Sequence, residues 1–143
     1  MNSELQVDDK QKKKISAGSV KLQVAGNLIL ARNSDRAQAK VLAAQVCEAI
    51  RTHPFDLGNG VVLRKTCSLG FSAFPLLPGD PDKFSWEQAV ELADQCLYEA
   101  KHGGRDGWVG CLLDDGGSDG AVNGIRRQMP GYGPAWIQTS HMS

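Results

Sequence analysis

The stretch that most constrains this chain is residues 85–113, SWEQAVELADQCLYEAKHGGRDGWVGCLL. Ser85 with Gln88 three residues later fits a capping box, the reciprocal pair that satisfies the first free amides of a helix. Ala89, Leu92, Ala93, Cys96, Leu97 and Ala100 then recur at helical spacing and give the helix one continuous apolar face. Gly103 or Gly104 supplies the left-handed residue that ends it. GWVGCLL follows as a short strand. A helix with one apolar face leading into an apolar strand has to pack on a sheet. The junction crowds Lys101, Gly103, Gly104 and Arg105 together. Two readings stand side by side. One is a plain C-terminal cap, with Lys101 complementing the helix dipole. The other is a clamp in which two cations around a glycine turn hold a phosphate.

Upstream, NLILA (27–31) reads as a short buried strand. Asn33, Ser34 and Asp35 offer an N-cap to a helix over RAQAKVLAAQVCEAI, with Leu42, Ala43, Val46, Ala49 and Ile50 as its buried stripe. His53 before Pro54 ends that helix, because the residue ahead of proline is pushed out of the helical region. FDLGNGVVLRKTCSLGFSAF (55–74) reads as a hairpin turning at Gly58-Asn59-Gly60. Cys67, Leu69, Phe71 and Ala73 alternate onto one face of its returning strand. Gly70 marks a bulge, or a place where another backbone or a ligand comes close. Asp94 and Tyr98, one helical turn apart, read as a structural hydrogen-bonding pair. From Asp114 onward DDGGSDGAVNG is turn-rich; MPGYGPAWIQTS could pack locally but shows no usable period, and 112–143 as a whole reads as a Gly-rich flexible tail. The order strand–helix–hairpin–helix–strand predicts an α/β fold, a mixed sheet with flanking helices.

At 143 residues the chain holds at most one domain with tails. Its formal net charge is zero, and nothing in that balance calls for nucleic acid or an anionic membrane as partner. Residues 1–26 form an atypical polar segment. Its lysines Lys10, Lys12, Lys13 and Lys14 sit beside Asp8 and Asp9 and read as a solvated arm. Cys47, Cys67, Cys96 and Cys111 are widely spaced with no CxxC pair. They read as small buried thiols in a reducing compartment, not as a zinc site or a disulfide scaffold. No apolar run approaches the ~18 residues of a membrane span, and charges occupy the N-terminus where a signal peptide needs an apolar stretch. A cytoplasmic location is expected.

Three segments together resemble the C-terminal half of a GGDEF (diguanylate cyclase) domain. ELADQCLYEAKHGGRDGWVG resembles the family's last helix and strand, A-D-x-A-L-Y-x-A-K-x-x-G-R-N. TCSLGFSAF resembles its central strand, T-x-S-x-G-x-A. LILARNSDRAQAKVLAAQVCEAI resembles the strand and helix that follow the signature hairpin. The resemblance spans 27–111 and implies a partial GGDEF-type (nucleotidyl cyclase-like) fold. The family condenses two GTP into cyclic di-GMP between two facing domains, using Mg2+ or Mn2+ held by carboxylates of the first strand and of the GG[DE]EF hairpin. By this resemblance the phosphate-binding lysine falls on Lys101 and the arginine on Arg105. Asp106 stands where the family has asparagine, and would either pair with Arg105 or repel phosphate.

The hairpin should lie just before LILARNSD, where the sequence is KLQVAGNLILA. Gly26 is there, but Gly-Gly is missing and no carboxylate occurs from Gly18 to Ser34. The upstream R-x-x-D pattern is also missing. The family's first strand, its pocket helices and the hairpin strand need on the order of 75 residues at ordinary element lengths. Only 26 residues precede Asn27 and none reads as D-x-F-K-x-x-N-D. The expectation is a truncated or degenerate cyclase domain, inactive by itself, with no catalytic residue and no metal ligand. It would bind GTP or cyclic di-GMP weakly and pair with another GGDEF-type domain or with itself. The alternative is a non-catalytic regulatory or protein-interaction module. A sheet without its first strands exposes an apolar edge, which predicts low stability, self-association or cover by residues 1–26.

Overall fold

The computed structural model describes residues 21–25, 28–32, 34–114, 116 and 124–141, and for 21–25 the backbone alone. The polar arm with its lysine cluster, Gly26 and much of the Gly-rich stretch lie outside the described residues. The chain begins with an antiparallel hairpin, β1 (Lys21–Ala25) and β2 (Leu28–Arg32), in register from Lys21↔Arg32 to Ala25↔Leu28. A single 3-10 turn, Arg36–Gln38, leads into helix α1 (Ala39–Thr52). The Asp35 carboxylate accepts from the Gln38 amide while the Gln38 side chain accepts from the Asp35 amide, a complete capping box. At the other end His53 turns to extended backbone ahead of Pro54, as the proline requires.

A second hairpin follows, β3 (Phe55–Gly58) and β4 (Val61–Leu63). Its turn is left-handed at Gly58, Asn59 and Gly60, the residue types that tolerate this conformation. The returning strand does not continue through Cys67, as the sequence suggested. Instead β5 (Ser68–Phe71) is a separate strand that pairs in parallel with β6 (Gly107–Leu113), Ser68 opposite Gly107. Helix α2 (Trp86–His102) makes the crossover between them. Ser85 and Gln88 cap it reciprocally, as predicted.

Residues 125–139, read from the sequence as part of a flexible tail, are two strands. β7 (Ile125–Met129) and β8 (Gly133–Thr139) form an antiparallel hairpin, and β8 pairs antiparallel with β6. The result is a mixed four-stranded sheet in the order β5-β6-β8-β7. β7 is an edge strand and carries charge outward. Arg127 pairs with Glu99 of α2 at 2.8 Å, Arg126 pairs with Asp114 at 2.9 Å, and the Arg126 guanidinium lies over Trp136. At the other edge β5 has no further partner among the described residues; β1 pairs with β2 instead.

Strand alternation sorts the two helices onto opposite faces of the sheet. Val109, Cys111, Leu113, Ala135 and Ile137 point to one face and pack with Leu92, Cys96 and Ala100 of α2, closed by Leu76, Phe84 and Met129. Trp108 points to the other face, beside α1. Gly70 lets α2 come close. A β-carbon there would overlap the Leu97 amide nitrogen and the Ala93 carbonyl oxygen and lie 2.8 Å from the Cys96 carbonyl carbon. Arg36 fastens the start of α1 to the far end of the sheet, donating to the carbonyls of Leu76 and Leu113.

Two smaller expectations are also corrected. β2 is not a buried strand of the main sheet: among the described residues it pairs only with β1, and Ile29 is 41% exposed. No hydrogen bond joins Asp94 to Tyr98; the Tyr98 ring stacks on His102 at 4.0 Å. Among the described residues no helix is long and apolar enough to cross a membrane.

Candidate functional site

The site is the turn from α2 into β6. α2 ends because Gly104 adopts a left-handed conformation, φ 122°, which costs a glycine little. The Gly103 amide donates to the Glu99 carbonyl at 2.8 Å and the Arg105 amide returns to the Ala100 carbonyl at 3.1 Å. The second bond is the six-residue closure of a Schellman motif. Unusually, Arg105 and Asp106 are also left-handed, at φ 56° and 43°. That conformation costs an ordinary side chain such as that of Arg105 about 1–2 kcal/mol, and an aspartate less. It is held by partners outside the turn. His141 Nε2 lies 2.7 Å from the Arg105 carbonyl oxygen, and the Gly107 amide donates to the Cys67 carbonyl at 3.2 Å.

Lys101 sits in the last turn of α2 and Arg105 two residues before β6, both exposed. Among the described residues neither has an ion pair, so both cations remain available at this turn. His102 and His141 stand beside them. Asp106 does not pair with Arg105. Its carboxylate is taken by Arg51 at the end of α1, with Nη2 2.9 Å and Nε 3.2 Å from Oδ1. Arg51 also pairs with Glu48 on its own helix. The hydrogen bonds from Arg51 hold the Asp106 carboxyl below the usual carboxylate range, and the same contact raises the guanidinium. Nothing local in the sequence marks this partner, because Arg51 and Asp106 lie 55 residues apart and meet only in the fold.

The surroundings are open. A shallow groove of about 710 Å3 lies between α1 and the sheet, lined by Val41, Ala44, Glu48 and Trp108. Neither Lys101 nor Arg105 lines it. Among the described residues no group of three or more His, Cys, Asp or Glu is placed to hold a metal.

A second feature escaped sequence reading. Cys67, just before β5, and Cys47, on α1, meet with their Sγ atoms 3.7 Å apart. Both are free thiols, as are Cys96 and Cys111. Comparison with protein-family models, with curated proteins and with solved structures finds no match to this chain.

Proposed function

We propose that this chain is a degenerate diguanylate cyclase (GGDEF-type) domain of a cyclic-di-GMP signalling protein. In this reading it keeps the phosphate-binding end of the nucleotide site and has lost the catalytic end. The observation that carries the reading is the turn between α2 and β6. Lys101 and Arg105 are exposed and without ion pairs among the described residues, and Asp106 is drawn to Arg51. The carboxylate that stands where the family has asparagine therefore leaves the two cations free for an anion. Two arrangements support the reading further. A βαβ unit, β5–α2–β6, presents that turn, and a hairpin directly precedes α1 where the family has its signature hairpin.

Lys101 would act as a point charge and Arg105 as a fork on the terminal phosphates of GTP. No residue of this chain is assigned to the chemical step, since the stretch from Gly18 to Ser34 holds no carboxylate for a metal. In the full-length cyclase reaction two GTP become cyclic di-GMP; this chain alone binds without turning over. Incubation of the full chain with GTP and magnesium or manganese, followed by product analysis, tests the reading. Cyclic di-GMP above a metal-free control contradicts it.

One observation favours a second reading, a non-catalytic interaction module. The β3–β4 hairpin exposes Leu57, Val61, Val62 and Leu63, with Leu57 63% accessible. Apolar residues clustered on a free-standing hairpin are the kind of surface that a partner domain covers. Another domain of this type, or a second copy, is the partner this reading names. Concentration-dependent sedimentation of the full chain separates the two readings. Self-association without any nucleotide binding favours the module.

A further inference from the structure

The thiols of Cys47 and Cys67 form a site of their own, independent of the nucleotide reading. Cys47 lies on the buried stripe of α1, one turn before Arg51, and is 2% exposed. Cys67 directly precedes β5, and the alternation of that strand turns its side chain to the α1 layer. Its backbone is fixed by the Gly107 amide, which donates to the Cys67 carbonyl at 3.2 Å. Two elements far apart in sequence thus hold two sulfurs 3.7 Å apart. Cys67 is partly exposed, so one of the two is open to a small solute. The other thiol pair provides the contrast. Cys96 and Cys111 interact across α2 and β6, yet each is 0% exposed.

We propose that Cys67 and Cys47 are an oxidative modification site that takes a hydroperoxide, with Cys67 as the attacking thiolate and Cys47 as the resolving thiol. The Cys67 thiolate attacks one peroxide oxygen. The O–O bond breaks, the leaving oxygen departs as hydroxide and takes up a proton, and Cys67 becomes a sulfenic acid. Cys47 then gives up its proton and attacks the Cys67 sulfur. The S–O bond breaks, hydroxide leaves and accepts that proton as water, and the S–S bond forms. Overall two thiols lose two electrons and two protons, and hydrogen peroxide gains them to give two waters. The sulfurs have to close from 3.7 Å to about 2.05 Å. Rotation of the partly exposed Cys67 side chain supplies that movement.

The surroundings suit this order of events. The hydrogen bond from Cys47 and the nearby Arg51 guanidinium stabilise the Cys67 thiolate, while burial and Asp106 oppose it. The Cys67 contact and burial push the Cys47 thiol the other way, which suits a resolving thiol that stays protonated until it attacks the sulfenic acid. The disulfide would tie α1 to the start of β5, beside the turn that carries Arg105.

The test treats the reduced full chain with a small excess of hydrogen peroxide, blocks remaining thiols under denaturing conditions and maps the peptides by mass. The expected product is a Cys47–Cys67 cross-link lighter by two hydrogens and reversed by dithiothreitol, with Cys96 and Cys111 recovered as free thiols. In Cys47→Ser the reaction should stop at the sulfenic acid, so that Cys67 takes a dimedone label. In Cys67→Ser both the cross-link and the label on Cys47 should be lost. Wild-type protein in which Cys67 stays reduced overturns the proposal, as does a Cys96–Cys111 cross-link that forms equally fast. The wild-type map decides this even where a variant folds poorly.

Discussion

Arg51 on α1 holds the carboxylate of Asp106 at the foot of β6, with Nη2 2.9 Å from Oδ1. The contact joins α1 to the turn that carries Arg105, and it helps hold Asp106 in its left-handed conformation. Its acid dependence has a definite sign. The folded carboxyl titrates below its ordinary range, so its stabilising effect is present above that range and is lost as pH falls through the lowered folded value. Asp106→Asn should therefore lower the thermal midpoint at neutral pH. The wild-type and variant curves should converge in strong acid. A gap that persists in acid, measured by circular dichroism across the pH range, contradicts this role.

Gly70 predicts a packing defect. A β-carbon there overlaps the backbone of α2 at Leu97 and Ala93, and backbone yields less than the end of a flexible side chain. Gly70→Ala should cost about 3 kcal/mol or more, the upper end for overpacking a closed core. Urea unfolding gives the value directly. A loss near the ~0.5 kcal/mol typical of surface changes would show that α2 sits farther from β5 than described.

The Cys67 thiol should react with iodoacetamide along a pH curve centred at about 7, below an ordinary thiol. The groups that face it are Cys47 and Arg51 from α1 and Asp106 from the turn before β6. Each should move the curve in a known direction. Arg51→Gln should shift it upward by removing a cation, and Asp106→Asn downward by removing an anion. Site-resolved alkylation read by mass spectrometry distinguishes Cys67 from the buried thiols. A curve that neither substitution moves contradicts the assignment.

Where local chemistry decides, the sequence was legible. The Ser85–Gln88 capping box, the stop at His53–Pro54 and the Gly58-Asn59-Gly60 turn all appear as read. Each depends on groups within four residues of one another. Pairing over distance was not legible. β5 looked like the return of a hairpin because Val61–Leu63 and Ser68–Phe71 are both apolar and nearly contiguous. Only the alignment of Ser68 with Gly107 across α2 makes β5 a parallel strand. β8 hid for a different reason. Ala135, Trp136 and Ile137 are apolar in a row and the polar Gln138 is buried, so the sequence shows no clean alternation, and Gly133 and Pro134 imitate a loop. At the turn after α2 the crowding of Lys101 and Arg105 around two glycines was legible, whereas the partner of Asp106 and the Cys47–Cys67 contact arise only from tertiary packing.

The central claim is that Lys101 and Arg105 bind the phosphates of a guanine nucleotide. Calorimetric titration of GTP into the full chain tests it most directly, with the double charge reversal Lys101→Glu and Arg105→Glu as comparison. Both residues are exposed, so the reversed protein should keep its fold by circular dichroism. The account predicts weak GTP binding to the wild type and no detectable heat with the reversed protein. Equal affinity in the two proteins, or no binding to either, contradicts it.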